Sequence, residues 1–224
     1  MGALSLTKSN RLFWLGRYTE RVFTTLQYLL DRYDKVVDGL PIDHAAFCCS
    51  MGIGDCYRDD EDFVRRYLFD TEDPSSVLNS MYSAYDNAVV LRDTLSSITL
   101  SYIEMALSAL KKAAKSDGPA LQAQWVIDDI MAFRGASDDF IYDENSRNIL
   151  KCGTSVERID LYLRIEYRVD RIPAEMSRLL NRLYKTKLAT NPEDLDTLVQ
   201  AVLEKPDRLS NVKLISCIED LFQV

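Results

Sequence analysis

Leu15, Tyr18, Val22, Leu26, Leu29, Tyr33 and Val36 recur at spacings of three or four residues, which gathers them on one side of a helix predicted from about Thr7 to Val37. Leu12, Phe13 and Trp14 spread further apolar surface around its first turns, so this helix is expected to be central and buried on several sides. Ser5 or Thr7 can cap its start, and Gly39-Leu40-Pro41 ends it. A short helix is expected over 41–49, a turn at Gly52 to Asp55, and another helix over 60–69. In Asp73-Pro74-Ser75-Ser76, Asp73 or Ser75 can accept the free amide protons of a helix start, where Pro74 is tolerated because its missing N–H would be unpaired anyway. Leu78, Met81, Tyr85, Ala88 and Leu95 then mark a helix closing near Ser96 or Ser97.

The next pattern places Tyr102, Met105, Ala106 and Leu110 on the inner side of a helix from about Thr99 to Lys115, stopped by Ser116-Asp117-Gly118. Pro119 opens a helix through Leu121, Trp125, Val126, Ile130 and Phe133 that is expected to end at Gly135. Ile149, Cys152, Val156, Ile159 and Leu163 are in phase on a helix starting at 143–147, which either stops at Pro173 or kinks there and continues toward Lys187. Asn191-Pro192 starts a helix to about Glu204, and a last one covers Asn211 to about Phe222. No segment offers period-two alternation. The expected fold is all-α, a bundle of about seven to nine helices forming one domain over 1–224.

Two of these helices carry the same signature, Gly16-x-x-x-Glu20-Arg21 and Gly153-x-x-x-Glu157-Arg158. Four residues advance a helix by about 40° beyond a full turn, so each glycine lies almost directly below its glutamate and lets a neighbouring backbone approach on that face. The repeat predicts two central helices related by a pseudo-twofold axis. Glu20 points away from the Leu15–Val22–Leu29 stripe, toward a side holding Phe13, Gly16 and Gln27, which makes it a candidate buried carboxylate in need of a partner. Crossed pairs are expected, Glu20 with Arg158 and Glu157 with Arg21, with Arg17 as a further member of the polar set. Two roles are open to these residues: locking the central helices together, or lining a polar pocket for a substrate or a charged tail.

Composition narrows the remaining chemistry. The chain has 224 residues, 47% of them hydrophobic, which suffices for a core without a metal or disulfide staple. Only 8 Gly and 6 Pro suit long helices over many turns. No apolar run approaches a membrane span, and no basic region followed by an apolar stretch opens the chain, so a cytoplasmic location is expected. A net charge of −8 argues against nucleic acid as a main partner. Cys48, Cys49, Cys56, Cys152 and Cys217 include no Cys-x-x-Cys pair and read as buried thiols of a reducing compartment.

With His44 as the single histidine, a zinc site and a four-helix di-iron site, which needs two Glu-x-x-His motifs, both lack ligands, and no metal or cofactor is expected. His44 could reach Cys48 at i, i+4 as a base for a nucleophilic thiol, although such spacing more often serves packing. Arg158, Arg164, Arg168 and Arg171 beside Glu166 and Asp170 read as a solvated face or a docking surface for an acidic partner. Asp128-Asp129 and Asp138-Asp139 are weak candidates for a divalent ion. No Gly-x-x-x-x-Gly-Lys phosphate loop is present.

Phe13-Trp14-Leu15-Gly16-Arg17-Tyr18-Thr19-Glu20-Arg21, then Phe69-Asp70 to Asp73-Pro74-Ser75-Ser76 with Asn87-Ala88 and Arg92-Asp93, then Gly153 to Arg158 with Ile159-Asp160, closely resemble in order the motifs of the alpha-E domain family of bacterial helical proteins. The chain departs from the family pattern at Thr154, where an arginine follows the glycine, at Asp86-Asn87-Ala88-Val89 in place of Glu-Asn-Ala-Arg, and at Tyr102 in place of tryptophan. The resemblance implies an accessory or binding protein that works with an ATP-grasp-type amide ligase, often beside transglutaminase-like proteins, in making or modifying peptides. A rival reading is an enzyme using Glu20 or Glu157 as general acid or base in an interhelical pocket.

Overall fold

The computed structural model describes residues 6–37, 42–116, 119–204 and 211–222. Ten α-helices lie among them, α1 Leu6–Val37, α2 His44–Met51, α3 Asp60–Phe69, α4 Val77–Val90, α5 Ser97–Ala113, α6 Pro119–Phe140, α7 Glu144–Arg164, α8 Ile172–Leu183, α9 Pro192–Val199 and α10 Asn211–Glu219. That is slightly more than the seven to nine expected, because the pattern past Ile149 hides two helices. The chain stays all-helical among the described residues, with one isolated bridge between Thr190 and Phe222.

Side-chain caps set most helix starts. Asp43 accepts from the Ala46 N–H at 3.1 Å, Asp59 from Asp62, Ser96 from Thr99 and Asp143 from Ser146. The α4 cap is Ser76, which accepts from Asn79, rather than Asp73 or Ser75. Asp73 instead braces the turn before it, accepting from the Ser75 N–H and the Tyr57 hydroxyl. Since Ser96 caps α5, α4 must close earlier than the sequence suggested, at Val90. The expected stop at Gly39-Leu40-Pro41 lies outside the described residues.

Two expected breaks moved. Gly135 does not end α6, which continues to Phe140, with Ala136 and Ser137 buried and the Ser137 hydroxyl donating to the Phe133 carbonyl. The break past α7 comes at Ile165 to Arg168, where Glu166 and Arg168 both adopt φ of 48°, and Pro173 lies in the first turn of α8 rather than at a kink.

The chain divides into two compact units, 1–17 with 142–224, and 18–141, and α1 runs through both. In the second, α4 packs on α5 and α5 on α6, while α2 and α3 are held through an aromatic cluster of Tyr28, Phe47, Phe63 and Tyr67 with centroid separations of 5.2–5.6 Å. In the first, α7 packs on α8 and α10, α9 packs on α10, and the Phe13 ring meets Phe222 at 4.8 Å. α1 is buried on every side between Leu12 and Leu29 apart from a few half-exposed positions, as its all-round apolar surface requires. α7 is buried almost throughout, from Ser146 to Leu163. Both helices therefore carry polar groups into the interior.

Candidate functional site

A Cβ on Gly16 would stand 2.0 Å from the Leu150 carbonyl oxygen and 3.0 Å from the Thr154 nitrogen; one on Gly153 would stand 2.0 Å from the Phe13 oxygen and 3.2 Å from the Arg17 nitrogen. Each glycine thus faces the residue three before and the residue one after its counterpart, which is the reciprocity of a twofold crossing of α1 and α7. Only a residue without a side chain lets the two backbones meet there. The crossing brings Arg17 onto α7, where its Nε donates to Glu157 at 2.6 Å. Glu157 is fully buried, and the Arg17 guanidinium also lies 4.9 Å over the Trp14 ring.

One turn along α7, Asp160 is also buried and accepts from Arg164 Nε at 2.9 Å. Burial, reinforced by the nearby Glu157 charge and opposed by Arg164 and Arg17, pushes its carboxyl up to about 6. Arg164 extends the network by an ion pair with Glu219 on α10. On the α8 side, Arg158 Nη1 donates to Glu175 Oε1 at 3.0 Å, and Arg178 donates to the same oxygen. Arg182 donates to the Ser155 hydroxyl and to the Lys151 carbonyl.

Glu20, equally buried, has a different environment. The Thr24 hydroxyl donates to its Oε1 at 2.7 Å, and Arg134 of α6 forms an ion pair with its Oε2. The Arg134 guanidinium lies 3.8 Å over the Phe23 ring. Arg21 is close enough for its charge to act on the Tyr67 hydroxyl, which burial nevertheless pushes well above the usual tyrosine range. The crossed pairs of Glu20 with Arg158 and Glu157 with Arg21 join residues of the two different units and stay expectations of the sequence.

Among the sequence-predicted residues, the structure brings Gly16, Gly153, Arg17 and Glu157 together, and gives Glu20 and Arg158 the partners Arg134 and Glu175, which sequence reasoning did not single out. Arg134 was hidden because Gly135 beside it read as a helix end. Asp160 and Glu175 fall at ordinary helical spacings, and only their burial sets them apart.

The other candidates fare worse. His44 Nδ1 is 2.8 Å from Asp60 and its Nε2 is 3.7 Å from Asp55, and the Asp60 hydrogen bond raises the imidazole above its ordinary range although burial opposes it. Burial pushes the Cys48 thiol up to about 11, the wrong direction for a nucleophile. Cys48, Cys152 and Cys217 are buried as expected, whereas Cys49 and Cys56 are exposed, because α2 and the loop after it turn them to the surface. Asp128 takes a hydrogen bond from Gln124, and among the described residues no three His, Cys, Asp or Glu side chains converge as a metal ion would need. No helix there is long and apolar enough to cross a membrane.

No curated protein and no solved structure matches the chain. One family does, described as a predicted alpha-helical domain with a conserved ER motif, and its match over residues 8–167 takes in both Glu-Arg helices and most of the chain. With the twofold crossing at Gly16 and Gly153 and buried glutamates at both copies of the motif, the chain belongs to the Alpha-E family.

Proposed function

We infer that this chain is a helical accessory or binding domain that works with an ATP-grasp-type amide ligase in a pathway making or modifying peptides. Membership of the Alpha-E family supports the ligase partnership through the association that the family resemblance implies. The observation that carries the accessory role is the state of the two motif glutamates: Glu20 and Glu157 are both 0% exposed and each is hydrogen-bonded to an arginine. A general acid or base must meet substrate, and carboxylates spent on arginines inside the packing serve shape instead. The ATP chemistry then belongs to the ligase.

The test mixes the purified chain with the ligase encoded beside it and measures complex formation by gel filtration and ligase turnover by ADP release. A stable complex, or a change in turnover, supports the reading. A chain that neither binds the ligase nor alters its turnover sinks it. An intrinsic activity lost in a folded Glu20→Gln variant would favour the enzymatic rival.

A further inference from the structure

The single histidine of the chain ties three segments together. His44 opens α2, and its Nδ1 lies 2.8 Å from Asp60, the first residue of α3. Asp60 also accepts the His44 N–H at 3.2 Å and the Ile42 N–H at 3.0 Å. The ring stacks on Phe63 at 6.0 Å and meets Tyr57 edge-on at 6.5 Å, which fixes its orientation. Its Nε2 is thereby placed 3.7 Å from an Asp55 oxygen in the loop 52–59. That same oxygen accepts the Tyr57 N–H at 3.3 Å and closes the turn. The titratable groups facing the ring are Asp43 at the α2 cap, Asp55 and Tyr57 from the loop, and Asp60 from α3, three of them carboxylates. At the far end of the loop, Arg66 of α3 donates to the Cys56 carbonyl at 2.9 Å through a charge that does not titrate in the same range.

The two ring nitrogens do different work. A neutral imidazole carries its proton on one nitrogen and a lone pair on the other. Asp60, within hydrogen-bond distance of Nδ1, holds that proton there, so Nε2 turns its lone pair toward the Asp55 carboxylate, which repels it. Protonation makes Nε2 a donor and the contact an ion pair. We propose that His44 is a pH-operated clasp: its imidazolium pairs with Asp55 and closes the 52–55 end of the loop onto α2 and α3, and the neutral ring lets that end open while Arg66 keeps the Cys56 end in place. The closed loop binds the His44 proton more tightly than the open one, so closure is strongest in acid and is lost as pH rises from about 6.5 through the raised midpoint of the folded chain. By linkage, protonation strengthens closure by the same factor by which closure raises the proton affinity. Asp55 is 39% exposed, so that factor is the size expected of a surface ion pair, about two- to fivefold.

Proton NMR on the untagged full chain tests this without ambiguity of assignment, because His44 is the only histidine. The imidazole is titrated between about pH 5 and 9 in the parent and in Asp55→Asn, a range in which ordinary aspartates stay ionised. The parent is expected to bind the His44 proton about two- to fivefold more tightly than Asp55→Asn. On the same samples, amide exchange is followed at Ile53, whose N–H donates to the Cys48 carbonyl at 3.0 Å where the loop leaves α2, with the intrinsic pH dependence of exchange divided out. Ile53 protection should fall by the same factor through the parent's titration and stay level in Asp55→Asn and His44→Gln. Asp55 is exposed, so Asp55→Asn should keep the far-UV circular dichroism of the parent and decides the matter even where His44→Gln does not fold. A His44 midpoint unchanged by Asp55→Asn, level Ile53 protection across the parent's titration, or a pH dependence that survives in Asp55→Asn would each overturn the clasp.

Discussion

The two Glu-Arg helices share a backbone crossing, and the residues described around their two glutamates are not copies of one another. Glu157 takes its arginine from the crossing helix, Arg17, one residue past Gly16. The symmetry mate of Arg17 is Thr154, which carries no charge and donates its hydroxyl to the Leu150 carbonyl, and Glu20 holds an ion pair with Arg134 of α6. The next turn differs as well. Asp160 and Arg164 follow Glu157, whereas the matching positions after Glu20 are Phe23 and Gln27, and it is on Phe23 that Arg134 rests. The glycine crossing tolerates no variation because a backbone occupies the space. The charge partner can move to another helix as long as some cation arrives.

Substituting the glycines breaks this comparison most severely. Gly16→Ala and Gly153→Ala should each cost about 5 kcal/mol or prevent folding, since a Cβ 2.0 Å from a carbonyl oxygen forces the backbones apart. Urea denaturation of both variants checks the symmetry, and a large loss at only one glycine would contradict the reciprocal crossing. Arg17→Ala should follow at about 3–5 kcal/mol, because it strips Glu157 of a buried partner. Arg134→Ala should cost less, about 1–3 kcal/mol, since Arg134 is 25% exposed and Glu20 keeps the Thr24 hydroxyl. Equal losses would show the two environments to be equivalent after all.

The extra carboxylate of the second copy gives a pH signature that the first lacks. Asp160 is pushed up to about 6 in the folded chain against about 3.9 for an unfolded aspartate, so the folded state holds more protons in that window. Its favourable contribution is fully present below about pH 3.9 and is lost as pH rises to about 6, at up to about 1.4 kcal/mol per pH unit. Asp160→Asn should remove that component from denaturation curves measured between pH 4 and 7, and an unchanged slope would place the titration elsewhere. The smallest effect, and the opposite sign, belongs to Gly135→Ala. Nothing stands within 4 Å of a Cβ there, so the change should stabilise α6 by about 0.5–1 kcal/mol in the same assay.

Helix identities were legible along the chain because apolar spacing and caps are local: α1 and α3 fall within a residue of expectation, and Asn191 caps α9 where Asn191-Pro192 predicted a start. Boundaries failed where one residue type has two uses. Gly135 looks like a stop and is an ordinary helical residue, and Ser96 looks like the end of one helix and caps the next. Of the site, the glycines and glutamates were readable because they repeat. Arg134, Asp160 and Glu175 were not, since a charged residue at helical spacing looks the same in sequence whether it faces water or the interior.

The sequence by itself determined that the chain is helical, that two of its helices are copies, and that a glycine lies one turn below each glutamate, because these follow from short-range spacing. Only the tertiary structure decided that Arg17 serves Glu157, that Arg134 serves Glu20, and that Glu175 gathers Arg158 and Arg178 around one oxygen. Ion pairs inside a bundle join residues far apart in the chain, and nothing in local spacing selects which of many arginines arrives. Packing makes that choice, since burying a glutamate demands a cation wherever the fold can bring one.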